Sequence, residues 1–169
     1  PRYTVATSSS PTAGGTTAGG GTYNSGSSVT ATATPSSGYT FANWTEGATV
    51  VSASASYTFS VSTNRTLVAN FNPRYTVATS SSPTEGGTTS GGGTYNSGAS
   101  VTVTATPSSG YTFANWMEGA TVMSTSASYT FSISTNRTLV ANFNPRYTVA
   151  TSSSPTAGGT TAGGGTYNS

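Results

Sequence analysis

The chain is written in a period of seventy-two residues. Residues 1–72 align with residues 73–144 without a gap, and eight pairs differ: Ala13/Glu85, Ala18/Ser90, Ser27/Ala99, Ala31/Val103, Thr45/Met117, Val51/Met123, Ala53/Thr125 and Val61/Ile133. Residues 145–169 then match residues 1–25 without a change. This period exceeds the roughly 20–50 residues of a solenoid unit and instead suits a small domain. We therefore read two domains, 1–72 and 73–144, followed by a partial third, 145–169, that carries the first two strands of the unit. At this size a single core is only marginally sufficient, so neighbouring repeats or other chains are expected to add support.

Within one repeat the apolar period is two, not 3.6. Tyr3, Val5 and Thr7 alternate with Thr4 and Ala6, and Val29, Ala31 and Ala33 alternate with Thr30, Thr32 and Thr34. Tyr57, Phe59 and Val61 alternate with Thr58 and Ser60, and Leu67, Ala69 and Phe71 follow. β-Branched and aromatic side chains of this kind pack well on a pleated surface. Turn formers separate the runs, as in Pro35-Ser36-Ser37-Gly38 and Asn24-Ser25-Gly26. The reading is all-β, with about six strands per repeat and no substantial helix. Strands are expected near 2–8, 15–23, 28–34, 39–45, 49–60 (broken midway or whole) and 65–71. A small β-sandwich and a β-grasp-like module both fit that count.

The core is expected to be aromatic. Tyr39, Phe41, Trp44, Tyr57, Phe59 and Phe71 supply it in the first repeat, and Tyr111, Phe113, Trp116, Tyr129, Phe131 and Phe143 in the second. Trp44 breaks the alternation, because a regular strand that turns Tyr39 and Phe41 inward turns Trp44 outward. Either a bulge rotates it back, or it packs on a second layer or a neighbouring repeat. An exposed Trp44 stacking on a sugar ring is the alternative.

Composition closes most routes to chemistry. The chain has no Cys, His, Lys or Asp, and only five Arg and three Glu. Charged residues make up 5%, against roughly 25% in ordinary soluble domains. Zinc sites need Cys or His, calcium sites want several carboxylates, and general acid–base work wants His, paired acids or a tuned Lys. The Gly-rich run at residues 14–22 lacks the following Lys and the helix of a phosphate loop. No catalytic, cofactor-binding or metal-ligating residue is expected, and the reading is not an enzyme. A net charge of +2 spread along the chain does not form the basic face that nucleic acid requires. No apolar run is long enough to span a bilayer.

The joint between repeats is short. Leu67 to Phe71 leads into Tyr75 to Thr79 with only Asn72-Pro73-Arg74 between, and Pro73 biases Asn72 toward an extended backbone. A tether this short is expected to fix the rotation and rise from one repeat to the next. The partial repeat is expected to rest its Tyr147, Val149 and Tyr167 on the preceding repeat or on a neighbouring chain, since two strands alone are marginal in water.

The stretches "GGTYNSGSSVTATATPSSGY" and "GYTFANWTEGATVVSASASYTFSVSTNRTLVANF" resemble the divergent internalin-type B-repeat, found in tandem on bacterial surface and secreted proteins. The shared features are a Gly-Tyr-x-Phe-x-x-Trp strand at residues 38–44, a Tyr-x-Phe-x-Val strand at 57–61 and a Thr-Leu-x-Ala-x-Phe strand at 66–71, repeated at 110–116, 129–133 and 138–143. The resemblance implies a small β-rich module, related to the β-grasp-like B-repeat, serving as a spacer or adhesive element outside the cell. It implies no catalytic residues.

Two functional readings follow. The first is a structural protein of the cell surface or extracellular space, a segment of a self-associating fibre, stalk or matrix filament whose partner is itself. The second is an adhesin or carbohydrate-binding repeat meeting surface glycans. Asn43, Asn64 and Asn136 fit the N-glycosylation pattern and are candidate acceptors.

Overall fold

The computed structural model describes residues 1–168. The chain divides into two compact units, Pro1–Tyr75 and Thr76–Ser169. In unit 1 the strands are β1 (Arg2–Ser10), β2 (Gly15–Ala18), β3 (Gly21–Asn24), β4 (Ser28–Pro35), β5 (Tyr39–Glu46), β6 (Thr49–Ser52) and β7 (Ser56–Ser60), with the first part of β8 (Arg65–Ser82). Among the described residues, helical structure is confined to three-residue 3-10 turns such as Thr12–Gly14. The protein is all-β.

Unit 1 holds two sheets. The larger runs β6-β5-β8-β1-β3 and the smaller β2-β4-β7. Neighbours are antiparallel with one exception: β1 lies parallel to β8, with Val5 opposite Arg65 and Ser10 opposite Asn70. The first and last strands of the repeat are thus side by side. The core takes Val5, Trp44, Leu67, Ala69 and Phe71 from the larger sheet and Val29, Ala31 and Ala33 from the smaller. These are the inward positions of a two-layer β-sandwich.

Two expected strands are broken. The run expected at 15–23 splits into β2 and β3 because Gly19 takes a positive φ of 91° beside the Thr30 carbonyl, which a side chain would not tolerate. The run expected at 49–60, broken midway or whole, is the broken form, β6 and β7. The last strand extends the other way: β8 continues from Arg65 through Asn72-Pro73-Arg74 to Ser82.

Trp44 is inside. The register between β5 and β8 shifts between Phe41 and Asn43, a bulge that returns Trp44 to the core face, where it is fully buried. Its indole N–H donates to the Ala55 carbonyl at 3.2 Å. Phe41 packs edge-on to Phe71 with ring centroids 5.9 Å apart. Burial is less complete than the aromatic pattern suggests. Phe71 is buried, while Tyr39, Phe41, Tyr57 and Phe59 lie half-buried against the core. Small side chains occupy the centre instead.

Unit 2 repeats the plan with β9 (Gly87–Ser90), β10 (Gly93–Asn96), β11 (Ser100–Pro107), β12 (Tyr111–Glu118), β13 (Thr121–Ser124), β14 (Ser128–Ser132) and β15 (Arg137–Val149). The second part of β8 stands where β1 stands in unit 1, parallel to β15 with Val77 opposite Arg137. Trp116 and Phe143 are buried, and Tyr111, Phe113, Tyr129 and Phe131 are half-buried. The final strand is β16 (Gly165–Asn168), antiparallel to the end of β15.

Candidate association surface

Three copies of one opening segment can be compared within this chain, and two of them are covered. In unit 1, Val5 is 1% exposed, and in unit 2 its counterpart Val77 is 2% exposed. Val149, the third counterpart, is 47% exposed. Tyr147 and Tyr167, paired across β15 and β16, are 58% and 49% exposed, whereas Tyr3, Tyr23, Tyr75 and Tyr95 are half-buried. Of the two supports expected for Tyr147, Val149 and Tyr167, a preceding repeat or a neighbouring chain, the preceding repeat does not supply one. The physical reason is topological. This segment is buried by the parallel strand that closes its own repeat, as residues 65–70 cover β1 and Arg137 to Asn142 cover Val77 to Ser82, and no such strand lies beside residues 145–154 among the described residues.

The uncovered segment is nevertheless locally formed. The Tyr167 hydroxyl donates to the Gly163 carbonyl at 3.0 Å, as Tyr23 does to Gly19 at 3.0 Å and Tyr95 to Gly91 at 2.8 Å. The Thr161 hydroxyl donates to the Thr151 hydroxyl at 2.9 Å, matching Thr17 with Thr7 at 3.0 Å and Thr89 with Thr79 at 2.9 Å. What it lacks is the long-range contact. Strand structure stops at Val149 rather than running on as β1 does to Ser10. Gly14 meets the Phe71 side chain, while Gly158 meets only its own Pro155.

An ion pair secures each complete repeat. Arg65 donates from Nε at 3.0 Å and from Nη2 at 2.7 Å to Oε2 of Glu46, whose Oε1 accepts the Thr66 N–H at 3.1 Å. The guanidinium lies over the Phe59 ring, 4.5 Å from its centroid. These hydrogen bonds hold the Glu46 carboxyl below its ordinary value, with burial opposing, and raise that of Arg65. Arg137 donates to Oε2 of Glu118 from Nε at 2.7 Å, and its Nη2 is buried without a partner. Sequence reasoning overlooked these pairs. Their signal was available, since the only carboxylate shared by both full repeats stands nineteen residues before an Arg in each.

The remaining candidates lie elsewhere. Asn64 and Asn136 are exposed in the turns before β8 and β15, and their Oδ1 atoms accept the N–H of Thr4 at 2.8 Å and Thr76 at 2.9 Å. Asn43 is half-buried, its Oδ1 accepting from Asn70 Nδ2 at 2.8 Å. Thr30 and Thr58 link hydroxyls at 2.8 Å on the outer face of the smaller sheet, part of a row that leaves the surface hydroxyl-rich and uncharged. Among the described residues no cluster of His, Cys, Asp and Glu suits a metal ion, and no helix is long and apolar enough to cross a membrane.

No curated protein and no solved structure matches the chain. A family match covers most of it, with residues 3–74 and 75–146 each corresponding to one divergent InlB B-repeat domain. That family is associated with bacterial surface proteins, and a tandem array of it fits a structural or adhesive role. The chain belongs to the divergent InlB B-repeat family and carries two tandem copies of the domain.

Proposed function

We propose that the protein is a structural element of the bacterial cell surface or extracellular space, a segment of a fibre or stalk that associates with copies of itself and performs no catalysis. One observation carries this reading. The two full repeats match at sixty-four of seventy-two positions, so each presents an equivalent surface, and a filament needs equivalent interfaces at every step.

The partner is a second copy, met head to tail. Such head-to-tail contacts are heterologous, and when they do not close into a ring they extend. The low charge opposes contact only weakly.

Sedimentation velocity across a concentration series tests the reading, with negative-stain microscopy of the concentrated protein. The expected result is mass growth with concentration and uniform fibres. A monomer at all concentrations leaves only a spacer.

A further inference from the structure

The polar side of the final strand pair carries a second site. Arg146 and Thr148 alternate with Tyr147 and Val149 along β15, so they lie on the face opposite the apolar strip. Thr166 stands across from Thr148. The turn before β12 closes the other side, held by the Arg146 N–H donating to the Gly110 carbonyl at 2.7 Å. Together Ser109, Gly110, Arg146, Thr148 and Thr166 line an open cleft of about 290 Å³. Its lining contains three hydroxyls and one guanidinium, with no carboxylate and no apolar side chain.

Charge decides what could enter. Two of the chain's five Arg are neutralised within their repeats by Glu46 and Glu118. Arg146 has no such partner among the described residues, and its planar fork suits a carboxylate. Burial first, and then the remaining acid Glu85, raise the pKa of the Tyr111 phenol, next to Gly110 in sequence. Glu85 therefore adds negative charge near the cleft, and it is a feature of the second repeat alone: residues 13 and 157 are Ala.

We propose that this cleft binds a carboxylate-bearing sugar, a uronic acid residue of an acidic polysaccharide, with Arg146 taking the carboxylate and Ser109, Thr148 and Thr166 the ring hydroxyls. The volume suits a single ring, below the roughly 300–1,000 Å³ of drug-sized sites. Hydroxyl lining answers a polyol, and a lone guanidinium answers one acidic group per ring. The proposal is independent of self-association, and its test runs at concentrations where sedimentation shows monomer.

Titration of the ¹⁵N-labelled full chain, followed by amide shifts, uses glucuronate, glucose and acetate as probes. Glucuronate is expected to saturate with a dissociation constant on the order of 1 mM, moving the Ser109, Gly110 and Thr148 signals. Glucose and acetate are expected to bind about tenfold more weakly, because each lacks one half of the recognition. Arg146→Ala should weaken glucuronate about tenfold and Arg146→Lys less, while Glu85→Ala should tighten it a few-fold. Arg146 is exposed, and unchanged amide shifts away from the cleft in each variant show that the fold is intact. A polyuronate oligomer binding more tightly than the monomer identifies the polymer as the source. Acetate binding as tightly as glucuronate overturns the sugar. Glucose doing so, or Arg146→Ala leaving glucuronate unchanged, overturns the role of the acid, and no saturable shift overturns the site.

Discussion

The Oδ1 of Asn64 accepts a 2.8 Å hydrogen bond from the backbone N–H of Thr4, sixty residues earlier in the chain. The same bond joins Asn136 to Thr76 at 2.9 Å. It ties the turn before the closing strand to the opening strand, where the parallel pairing of β1 and β8 begins. Asn64→Ala should therefore cost about 1–2 kcal/mol, and Asn64→Asp, which keeps the acceptor, less. Urea unfolding in a Trp116→Phe background, with Trp44 fluorescence as the probe, reports unit 1 separately. A glycan at Asn64 would attach through Nδ2 and leave this bond in place, so intact mass, not stability, decides whether the site is used.

Gly14 and Gly158 occupy the same place in the repeat and have different surroundings. A methyl group built on Gly14 would stand 2.7 Å from the Phe71 Cβ, while on Gly158 the nearest atoms are its own Pro155 at 3.5 Å. Gly14→Ala should destabilise unit 1 by about 1–3 kcal/mol through overpacking. Gly158→Ala should stay within about 0.5 kcal/mol, as surface changes do. Equal effects at the two positions would show that the third segment is covered after all.

The acid dependence of unit 1 follows from Glu46. Its carboxyl is held below the ordinary value of 4.5, chiefly by the hydrogen bond from Arg65. A carboxylate whose value is lower in the folded state adds stability above its unfolded value, and that stability is lost as pH falls through the folded one. Unit 1 should thus weaken below about pH 4.5, and Glu46→Gln should flatten that slope. At neutral pH the same variant should cost less than about 1 kcal/mol, because the pair is partly open to solvent. Denaturant titrations at several pH values measure both.

Much of this architecture was legible because the repeat makes the sequence its own control. Period-two runs around Val29 and Tyr57 placed the strands, and Pro35-Ser36-Ser37-Gly38 placed a turn. The break at Gly19 was not legible, since it depends on the approach of the Thr30 carbonyl from another strand. Trp44 was readable only as an alternative between a bulge and a second layer, because a bulge is a property of the β5–β8 pairing and not of β5 alone. What covers the final segment was not legible for a related reason. Its alternation showed an apolar face, but what covers that face in units 1 and 2 is a parallel strand some sixty residues further along the chain. The Arg65–Glu46 pair was overlooked because its members are far apart in sequence and meet only across β5 and β8.

Self-association of the repeats is tested most directly by sedimentation velocity of the full chain across a concentration series. The account predicts a sedimentation coefficient that rises with concentration and falls again on dilution. A single monomeric species at every concentration would contradict it.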